Sequence, residues 1–181
     1  MPALEALSRQ IAALEARGRG RRLIPCAGLD FASNDYLGLS RDPAIARAIA
    51  DAAARGVPAG SGGSRLLRGN APEHEALEAK AAAYFGSEAA LYLANGFAAN
   101  VGLLASLPQR GDLIVADELI HASAHDGLKL SKAAHLFAQH NDPQSFADLI
   151  SAWRAEGGKG QVWIAFETVY SMEGDLAPID A

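Results

Sequence analysis

The turn Asn95-Gly96-Phe97 is the segment whose place in the sequence best suits the binding of an anion. It follows a short apolar run at residues 89–93 and begins a helix-compatible stretch that ends at Ser106. A strand, a glycine turn and a helix in that order leave unpaired backbone N–H groups at the N-terminus of the helix. Such a terminus binds negatively charged groups, phosphate above all. We therefore expect a phosphate-binding turn here.

Three further polar side chains follow predicted strands. His121 comes after a predicted strand at 112–116, and Glu167 and Ser171 come at and after the exit of the apolar strand QVWIAFE at 161–167. Taken singly, a histidine or a serine in a turn is most often structural. The carboxyl edge of a parallel sheet, however, is where ligands bind in open α/β folds. The shared position predicts one crevice that combines a phosphate cradle with an imidazole, and hence a cofactor site.

Hydrophobic periodicity and helix caps predict an alternation of helices and strands. Asp42-Pro43, for example, reads as an N-cap followed by proline at the first helical position. The predicted helices span residues 3–16, 43–55, 72–85, 97–106, 121–130 and 143–155, and the predicted strands span residues 29–32, 89–93, 112–116, 134–138 and 161–167. The last strand is continuously apolar, which is typical of a strand buried on both faces. This order predicts an α/β fold, namely a three-layer α/β/α sandwich with a mostly parallel sheet.

Composition argues against several classes of protein. Half of the 181 residues are hydrophobic, one fifth are charged, and the formal net charge is −5, which does not favour nucleic acid as a partner. No apolar run approaches the ~18 residues of a membrane span. The N-terminus also lacks a signal-peptide core, so we expect a cytoplasmic protein. The single cysteine, Cys26, is expected to be a buried or incidental thiol rather than a nucleophile.

Other catalytic patterns find little support. His121 and His125 share a predicted helix face, but no third ligand accompanies them, so we predict no metal site. The G-x-S-x-G elbow of serine hydrolases is missing. In the glycine-rich segment GSGGSR, Arg65 stands where a dinucleotide fingerprint needs a third glycine. A loop held close to a ligand or to a partner subunit explains these glycines better.

The arginines that follow the first predicted helix have two interpretations. Arg19, Arg21 and Arg22 lie beside two glycines that end the helix. The favoured interpretation is a solvated run of charge. The alternative is a contact with an anion, either a substrate carboxylate or a coenzyme phosphate.

Seven motifs occur in series along nearly the whole chain from residue 30. They are SNDYLGL (33–39), GSGGSRLLRG (60–69), HEALE (74–78), NGFAAN (95–100), DELIHAS (117–123), HND (140–142) and YSMEGD (170–175). Their order resembles that of the α-oxoamine synthases, which are pyridoxal-phosphate (PLP) enzymes of fold type I. The resemblance implies an acyltransferase that condenses an amino acid with an acyl thioester and releases CO₂.

The same resemblance implies an organisation of the chain. Residues 1–40 would form an N-terminal arm of a helix and a short strand, and residues 41–181 would form the N-terminal portion of the PLP-binding large domain. A homodimer that acts on small-molecule substrates is implied as well, and the composition predicts neither nucleic acid nor a membrane as a partner.

Cofactor roles follow from the resemblance residue by residue. Gly96 and Phe97 match the glycine–aromatic pair that holds the cofactor phosphate, and Asn95 stands where the family more often has serine or threonine. His121 matches the histidine that stacks on the pyridine ring and helps to orient the substrate. Ser171 matches the serine that hydrogen-bonds the phenolic oxygen of the cofactor.

Substrate roles follow in the same way. Glu167 and Asn34 match polar residues that line the substrate side of the site. Arg21 matches an N-terminal arginine near the acyl-CoA substrate, although the linker before it is shorter than in the family.

The resemblance also implies residues that this sequence does not contain. In the family, an Asp-x-x-His segment and the lysine that binds PLP come later in the chain, so we expect these 181 residues to be the N-terminal part of a complete synthase. Lys132 lies in a catalytic-looking Ser-Lys-Ala context, but we expect it to face solvent. The family member and its acyl donor stay open, as do a non-catalytic binding or assembly fragment and a nucleotide-binding α/β protein.

Overall fold

A computed structural model of the chain describes residues 2–25 and 27–180. The prediction for Cys26 therefore lies outside the described residues. The chain divides into two compact units, Met1–Gly69 and Asn70–Ala181. The functional division predicted from the sequence, between residues 40 and 41, remains a prediction.

The first unit is helical. It contains α1 (Pro2–Ala16), a 3₁₀ turn at Leu39–Arg41, α2 (Pro43–Ala54) and one π-helical turn at Arg65–Gly69. The predicted start of α2 is confirmed, because the Asp42 carboxylate accepts a hydrogen bond of 2.7 Å from the N–H of Ala44. That bond satisfies one of the backbone donors that a helix start leaves unpaired.

The strand predicted at residues 29–32 does not form. The Asp30 carboxylate accepts hydrogen bonds from the N–H groups of Ala32 (2.9 Å) and Ser33 (3.0 Å). Backbone donors that are used in such a local turn are not available to a strand ladder. The expected turn after it is present, since Ser33 Oγ accepts from the N–H of Asp35 at 3.0 Å.

The second unit alternates helices and strands after its first two helices. Its elements are α3 (Pro72–Phe85), α4 (Gly96–Ser106), β1 (Leu113–Asp117), α5 (Ala122–Leu130), β2 (Ala134–Ala138), α6 (Pro143–Ala155) and β3 (Val162–Ala165). The predicted bounds of α3, β2 and α6 are confirmed to the residue. Among the described residues of the whole chain, no helix is both long enough and apolar enough to cross a bilayer.

The sheet is parallel, and β1 lies in its centre. The strand order is β2-β1-β3, with Leu113 opposite Ala134 on one side and opposite Val162 on the other. All five residues of β1 are buried. Because the strands are parallel, the residues that follow each of them emerge at one common edge.

Helices cover both faces of this sheet. Ile114 and Ala116 of β1 pack with Ala124 and Leu128 of α5, and Leu104 of α4 joins this cluster. The alternate residues of β1, Leu113 and Val115, face the opposite side, where Phe146, Leu149, Ile150 and Trp153 of α6 cover them. The predicted α/β/α sandwich is therefore confirmed for the second unit.

Two strand predictions need correction. Residues 89–93 form no strand; Leu91 is 72% exposed, and the N–H of Tyr92 donates to the side chain of Glu78 at 2.8 Å instead of to a neighbouring strand. The apolar strand β3 is not buried on both faces either, since it pairs only with β1 among the described residues and Ile164 is 56% exposed. Apolar composition predicted burial, but the position of a strand within the sheet determines it.

Candidate functional site

The N-terminus of α4 is capped by Asn95 and stays open at Gly96. Asn95 Oδ1 accepts from the N–H of Ala98 at 2.8 Å, and its carbonyl accepts from the N–H of Ala99 at 3.2 Å. Within the described part of the chain, the N–H groups of Gly96 and Phe97 have no acceptor. A Cβ atom at Gly96 would meet nothing within 4 Å, so the space beside this residue is open. An open helix N-terminus of this kind is suited to an anion, and the predicted binding of phosphate here stays a prediction.

Helix α5 packs alongside α4 and points the same way. A Cβ atom at Gly127 would lie 2.9 Å from Leu104 Cβ and 3.2 Å from Val101 Cα, so only glycine allows this close approach. Nearer the start of both helices, Asn100 Nδ2 donates to Ser123 Oγ at 2.9 Å. These contacts progress in the same direction along both helices, which places their two N-termini at one end of the pair.

His121 is the N-cap residue of α5 and lies four residues beyond β1. Its Nδ1 atom accepts from the N–H of Ser123 at 3.1 Å and lies 2.7 Å from Ser123 Oγ. Asn100, which bonds the same hydroxyl, is four residues after Gly96, or roughly 6 Å along the helix axis. The structure thus brings His121 and the Asn95-Gly96-Phe97 turn to the same end of α4 and α5.

Glu167 arrives at this place from the neighbouring strand. It lies two residues after β3, and its Oε1 atom accepts a short hydrogen bond from the backbone N–H of His121. The N–H of Glu167 in turn donates to Tyr170 Oη at 3.2 Å. The exits of β1 and β3 are therefore tied together, which the sequence predicted from the parallel strands alone.

A cavity of about 210 Å³ adjoins this contact on the α4–α5 face of the sheet. Most of its wall is apolar, and Asn100 and Glu167 contribute the polar side chains. Its lining residues are Asn100, Leu103, Leu104, Ile120, Ala124, Ile164, Ala165, Phe166 and Glu167.

Ser171 lies at the tip of a small hairpin that follows Tyr170. The hairpin is closed by an antiparallel bridge between Val169 and Leu176 and by a 2.8 Å hydrogen bond from the N–H of Gly174 to the carbonyl of Tyr170. Ser171 is exposed, and its hydroxyl contacts none of the site residues named above within the described chain. Its predicted contact with a cofactor stays a prediction.

The two predicted substrate residues of the first unit are both exposed. Arg21 lies in the irregular segment after α1 and lines a surface pocket together with Gly20 and Glu15. Asn34 lies in the turn that Asp30 and Ser33 organise. Each side chain is accessible to a ligand, and their predicted roles stay predictions.

A second polar network joins the exits of β1 and β2 to the Ser171 hairpin. Asp117 is 1% exposed, and its carboxylate accepts from His140 Nδ1 and from the N–H of Asn141, both at 2.9 Å. His140 Nε2 lies 3.0 Å from Asp175 Oδ2 on the hairpin. Asn141 adopts the left-handed backbone conformation (φ 52°), which directs its N–H at Asp117.

The electrostatics of this network favour an ion pair. Hydrogen bonding to Asp117 raises the pKa of His140 above its usual 6.5, despite the opposing effect of burial, and Asp175 adds to the increase. Burial by itself would raise the pKa of Asp117, but hydrogen bonds from Asn141 and His140 outweigh it and lower that pKa below 3.8. Burial raises the pKa of Tyr170, whose ring packs edge-on against His140, to about 12.

Sequence reasoning missed Asn100 and Ser123 as members of the site, and it gave His140 no role. Asn100 and Ser123 are 23 residues apart in the chain, and so are Asp117 and His140. No local sequence pattern can therefore reveal that these side chains meet. The one available signal was that each lies inside a motif that had been singled out, NGFAAN, DELIHAS or HND.

The remaining candidates do not join the site. Lys132 is exposed, as expected, and the ring of His125 packs against Phe137 with centroids 5.2 Å apart, away from the partners of His121. Among the described residues, no group of three or more His, Cys, Asp or Glu side chains could hold a metal ion.

Comparison with known proteins gives a consistent set of similarities. Residues 27–181 match the family "Aminotransferase class I and II". The 8-amino-7-oxononanoate synthase of Emericella nidulans is 44% identical over 166 residues, which cover 87% of this chain and 40% of that protein. The chain thus spans less than half the length of this curated relative.

Two solved structures share the fold. The serine palmitoyltransferase of Sphingomonas wittichii superimposes with a TM-score of 0.74 at 32% identity, over 80% of this chain and 35% of that one. The serine palmitoyltransferase of S. paucimobilis, with bound PLP and myriocin, superimposes with a TM-score of 0.81 at 24% identity, over 99% of this chain and 49% of that one. The second likeness concerns the fold alone.

Proposed function

We propose that this chain, which belongs to the aminotransferase class I and II family, is the N-terminal portion of a PLP-dependent α-oxoamine synthase. The reaction we assign to the whole protein is the decarboxylative condensation of L-alanine with a pimeloyl thioester, from pimeloyl-CoA or pimeloyl-ACP, to 8-amino-7-oxononanoate. This is a step of biotin biosynthesis. The choice of family member rests on the 44% identity to an 8-amino-7-oxononanoate synthase, against 32% to a serine palmitoyltransferase.

One structural observation supports the proposal most strongly. The open N-terminus of α4 and the imidazole of His121 lie at the same end of two parallel helices, connected through Asn100 and Ser123. A phosphorylated pyridine needs an anion site and a surface for a flat ring within a few ångströms of each other. An open helix N-terminus and an imidazole at one end of the α4–α5 pair support this assignment.

The residues present fit PLP as a ligand. The N–H groups of Gly96 and Phe97 would bind the phosphate, with Asn95 holding the turn by its bond to Ala98. His121 would contact the pyridine ring, and Ser171 would donate to the phenolic oxygen. Bound PLP would supply an electron sink for the negative charge that develops at the Cα atom of the amino acid.

The protein's own groups would bind and orient the reactants. Glu167 holds the backbone of His121 by accepting its N–H, which joins the start of α5 to the residues that follow β3. Glu167 would bind the amino-acid side of the reactants. The family resemblance assigns Asn34 to the substrate as well, and the guanidinium of Arg21 to an anionic group of the acyl donor. We place the PLP-binding lysine and its Asp-x-x-His partner in the part of the relatives that this chain does not cover. A homodimer in the cytoplasm remains our prediction for the whole protein.

A binding experiment tests the phosphate cradle. We expect the chain to bind PLP more tightly than pyridoxal, which lacks the phosphate, in equilibrium dialysis. Gly96→Asp places a carboxylate in the open space at the helix N-terminus, where it should stabilise the helix but repel phosphate. One such repulsion should weaken PLP binding roughly tenfold or more.

The matched control is Gly102→Asp, in the same helix and with nothing within 4 Å of the new Cβ atom. It adds the same charge at a distance from the cradle, and PLP affinity should stay within about twofold of the unmodified chain. Equal loss in both variants, or equal affinity for PLP and pyridoxal, would contradict the proposed cradle.

An activity assay tests the substrate assignment. The natural protein that contains this chain should form 8-amino-7-oxononanoate from L-alanine and a pimeloyl thioester. Turnover of L-serine with palmitoyl-CoA in its place would favour a serine palmitoyltransferase, which the 32% identical structure keeps as the second candidate. The same assay separates 2-amino-3-oxobutyrate CoA ligase and 5-aminolevulinate synthase activities by their products. PLP binding without turnover of any of these substrates would favour a non-catalytic binding or assembly role.

A further inference from the structure

The side chains of Asn100 and Ser123 form a directional hydrogen-bond relay to His121. Asn100 Nδ2 donates to Ser123 Oγ at 2.9 Å, and Ser123 Oγ lies 2.7 Å from His121 Nδ1. Ser123 is fully buried, so its single hydroxyl proton must find an acceptor within the protein. Since Asn100 presents an N–H donor, the acceptor available to that proton is His121 Nδ1.

A backbone N–H group also donates toward His121 Nδ1. The N–H of Ser123 also points at His121 Nδ1, at 3.1 Å. Two donors therefore converge on one ring nitrogen, and a proton on that nitrogen would face both of them. In the neutral imidazole the ring proton is consequently on Nε2.

We propose that Asn100 and Ser123 are positioning residues that hold the neutral ring of His121 as the Nε2–H tautomer, so that it offers its ligand a hydrogen-bond donor. This inference rests on the proposed function in one respect, namely that the ligand of His121 is the bound cofactor with its substrate. It predicts that the ring recognises an acceptor atom, such as an oxygen of an anionic group. A neutral ring fixed in this way cannot act as a base through Nε2, because that nitrogen already carries a proton.

The close packing of α4 and α5 makes the relay possible. Without a side chain, Gly127 lets α5 approach the backbone of α4 at Asn100 and Val101, and Asn100 then reaches Ser123. A wider spacing would leave the Ser123 hydroxyl buried without its donor.

Nitrogen NMR of the cofactor-free chain tests the proposal directly. Nitrogen-15 labelled histidine, measured at alkaline pH, reports which ring nitrogen carries the proton; His121→Gln identifies the signal. We expect the Nε2–H form of His121 in the unmodified chain. Ser123→Ala removes one buried hydrogen bond and should move the tautomer ratio toward Nδ1–H by about tenfold.

Asn100→Asp is the sharper variant. A carboxylate at this position accepts the Ser123 proton, which reverses the hydroxyl and turns Oγ into an acceptor for Nδ1–H. The ratio should therefore move further than in Ser123→Ala. Ser131→Ala, at the other end of α5, is the matched control and should leave the His121 signal unchanged. An Nδ1–H ring in the unmodified chain, or an unchanged ratio in Ser123→Ala, overturns the proposal.

A double-variant cycle separates this inference from the proposed function. If Ser123 acts through His121, then Ser123→Ala should weaken PLP binding in the unmodified background but not in the His121→Ala background. A tautomer shift without PLP binding would refute the proposed function and leave the relay intact. Additive effects on PLP binding would refute the link between the relay and the ligand.

Discussion

Replacement of Asp117 by asparagine should destabilise the second unit strongly. The carboxylate accepts three hydrogen bonds, from the N–H groups of Leu119 and Asn141 and from His140 Nδ1, each at 2.9 Å. Asparagine has nearly the same shape, but one of its two acceptor atoms becomes an N–H₂ donor. At Oδ2 this donor would face the N–H of Asn141, and at Oδ1 it would face His140 and Leu119.

The expected magnitude follows from burial and charge. Asp117 is 1% exposed, and removal of one partner from a buried, hydrogen-bonded charge pair costs about 3–5 kcal/mol. Since asparagine keeps one carbonyl acceptor, we expect a loss of about 3 kcal/mol. That is a large share of the roughly 5–15 kcal/mol that stabilises a typical domain.

The pH dependence gives a second signature. The lowered pKa of Asp117 adds stability above pH 3.8, and this stability is lost as the pH falls through the pKa of the folded state. The raised pKa of His140 adds stability below pH 6.5, which is lost as the pH rises through its folded-state pKa. The pair therefore stabilises the protein most between these two limits. Asp117→Asn should therefore make the free energy of unfolding depend less on pH, both at the acidic end and at the alkaline end of this range.

Urea unfolding followed by tryptophan fluorescence, at a series of pH values, measures both effects. The matched control is Asp126→Asn, which breaks a 3.0 Å ion pair with Lys129 whose side chains are 49% and 71% exposed. An exposed pair contributes about 0–1 kcal/mol, with little change in pH dependence. If Asp117→Asn costs no more than Asp126→Asn, or keeps the pH slopes of the unmodified chain, the ion-pair interpretation of the network is refuted.

Two further predictions concern packing and titration. Gly127→Ala places a Cβ atom 2.9 Å from Leu104 Cβ and should destabilise the protein by about 1–3 kcal/mol in urea unfolding. Gly102→Ala, which has open space around the new Cβ atom in α4, should stabilise it by about 0.5–1 kcal/mol. Equal effects of the two substitutions would refute the close packing of α4 and α5. The ultraviolet absorbance of the four tyrosines, followed against pH, should contain one component that titrates near pH 12. Tyr170→Phe should remove this component and leave the rest of the titration curve unchanged. If the component persists, the assignment of the raised pKa to buried Tyr170 is wrong.

Local sequence signals predicted the helices well. Asp-Pro pairs at 42–43 and 142–143 precede two helices, and in both the aspartate side chain caps the helix, as predicted for Asp42. Capping and periodicity involve residues within one or two turns of each other, so a single stretch of sequence contains the information.

Strands were predicted less well because a strand needs a partner. The apolar runs at 29–32 and 89–93 satisfy strand propensity, but Asp30 and Glu78 use their side chains to bond nearby backbone N–H groups. Which strand takes the centre of the sheet is equally a property of the whole fold. Propensity alone assigned burial to β3 and did not single out β1.

The candidate site shows the same contrast. The prediction that His121 and Glu167 lie together is confirmed, because the residues that follow neighbouring parallel strands emerge at the same edge of the sheet. The Asn100–Ser123 and Asp117–His140 contacts depend on side chains that meet only after the helices and strands have packed. Sequence spacing carries no signal for such contacts.

The segment from Asp117 to His121 is anchored at both ends. Asp117 is held by Asn141, and four residues later the backbone of His121 is held by Glu167. Only Glu118 and Leu119 are exposed between these anchors. Glu118 also accepts from the N–H of His140 at 3.1 Å, which leaves Leu119 as the position without a side-chain bond to the neighbouring strands. In homologous proteins, this connection should therefore vary in side chain at Leu119 but not in length, because one inserted residue would separate the imidazole from its anchors on the adjacent strands.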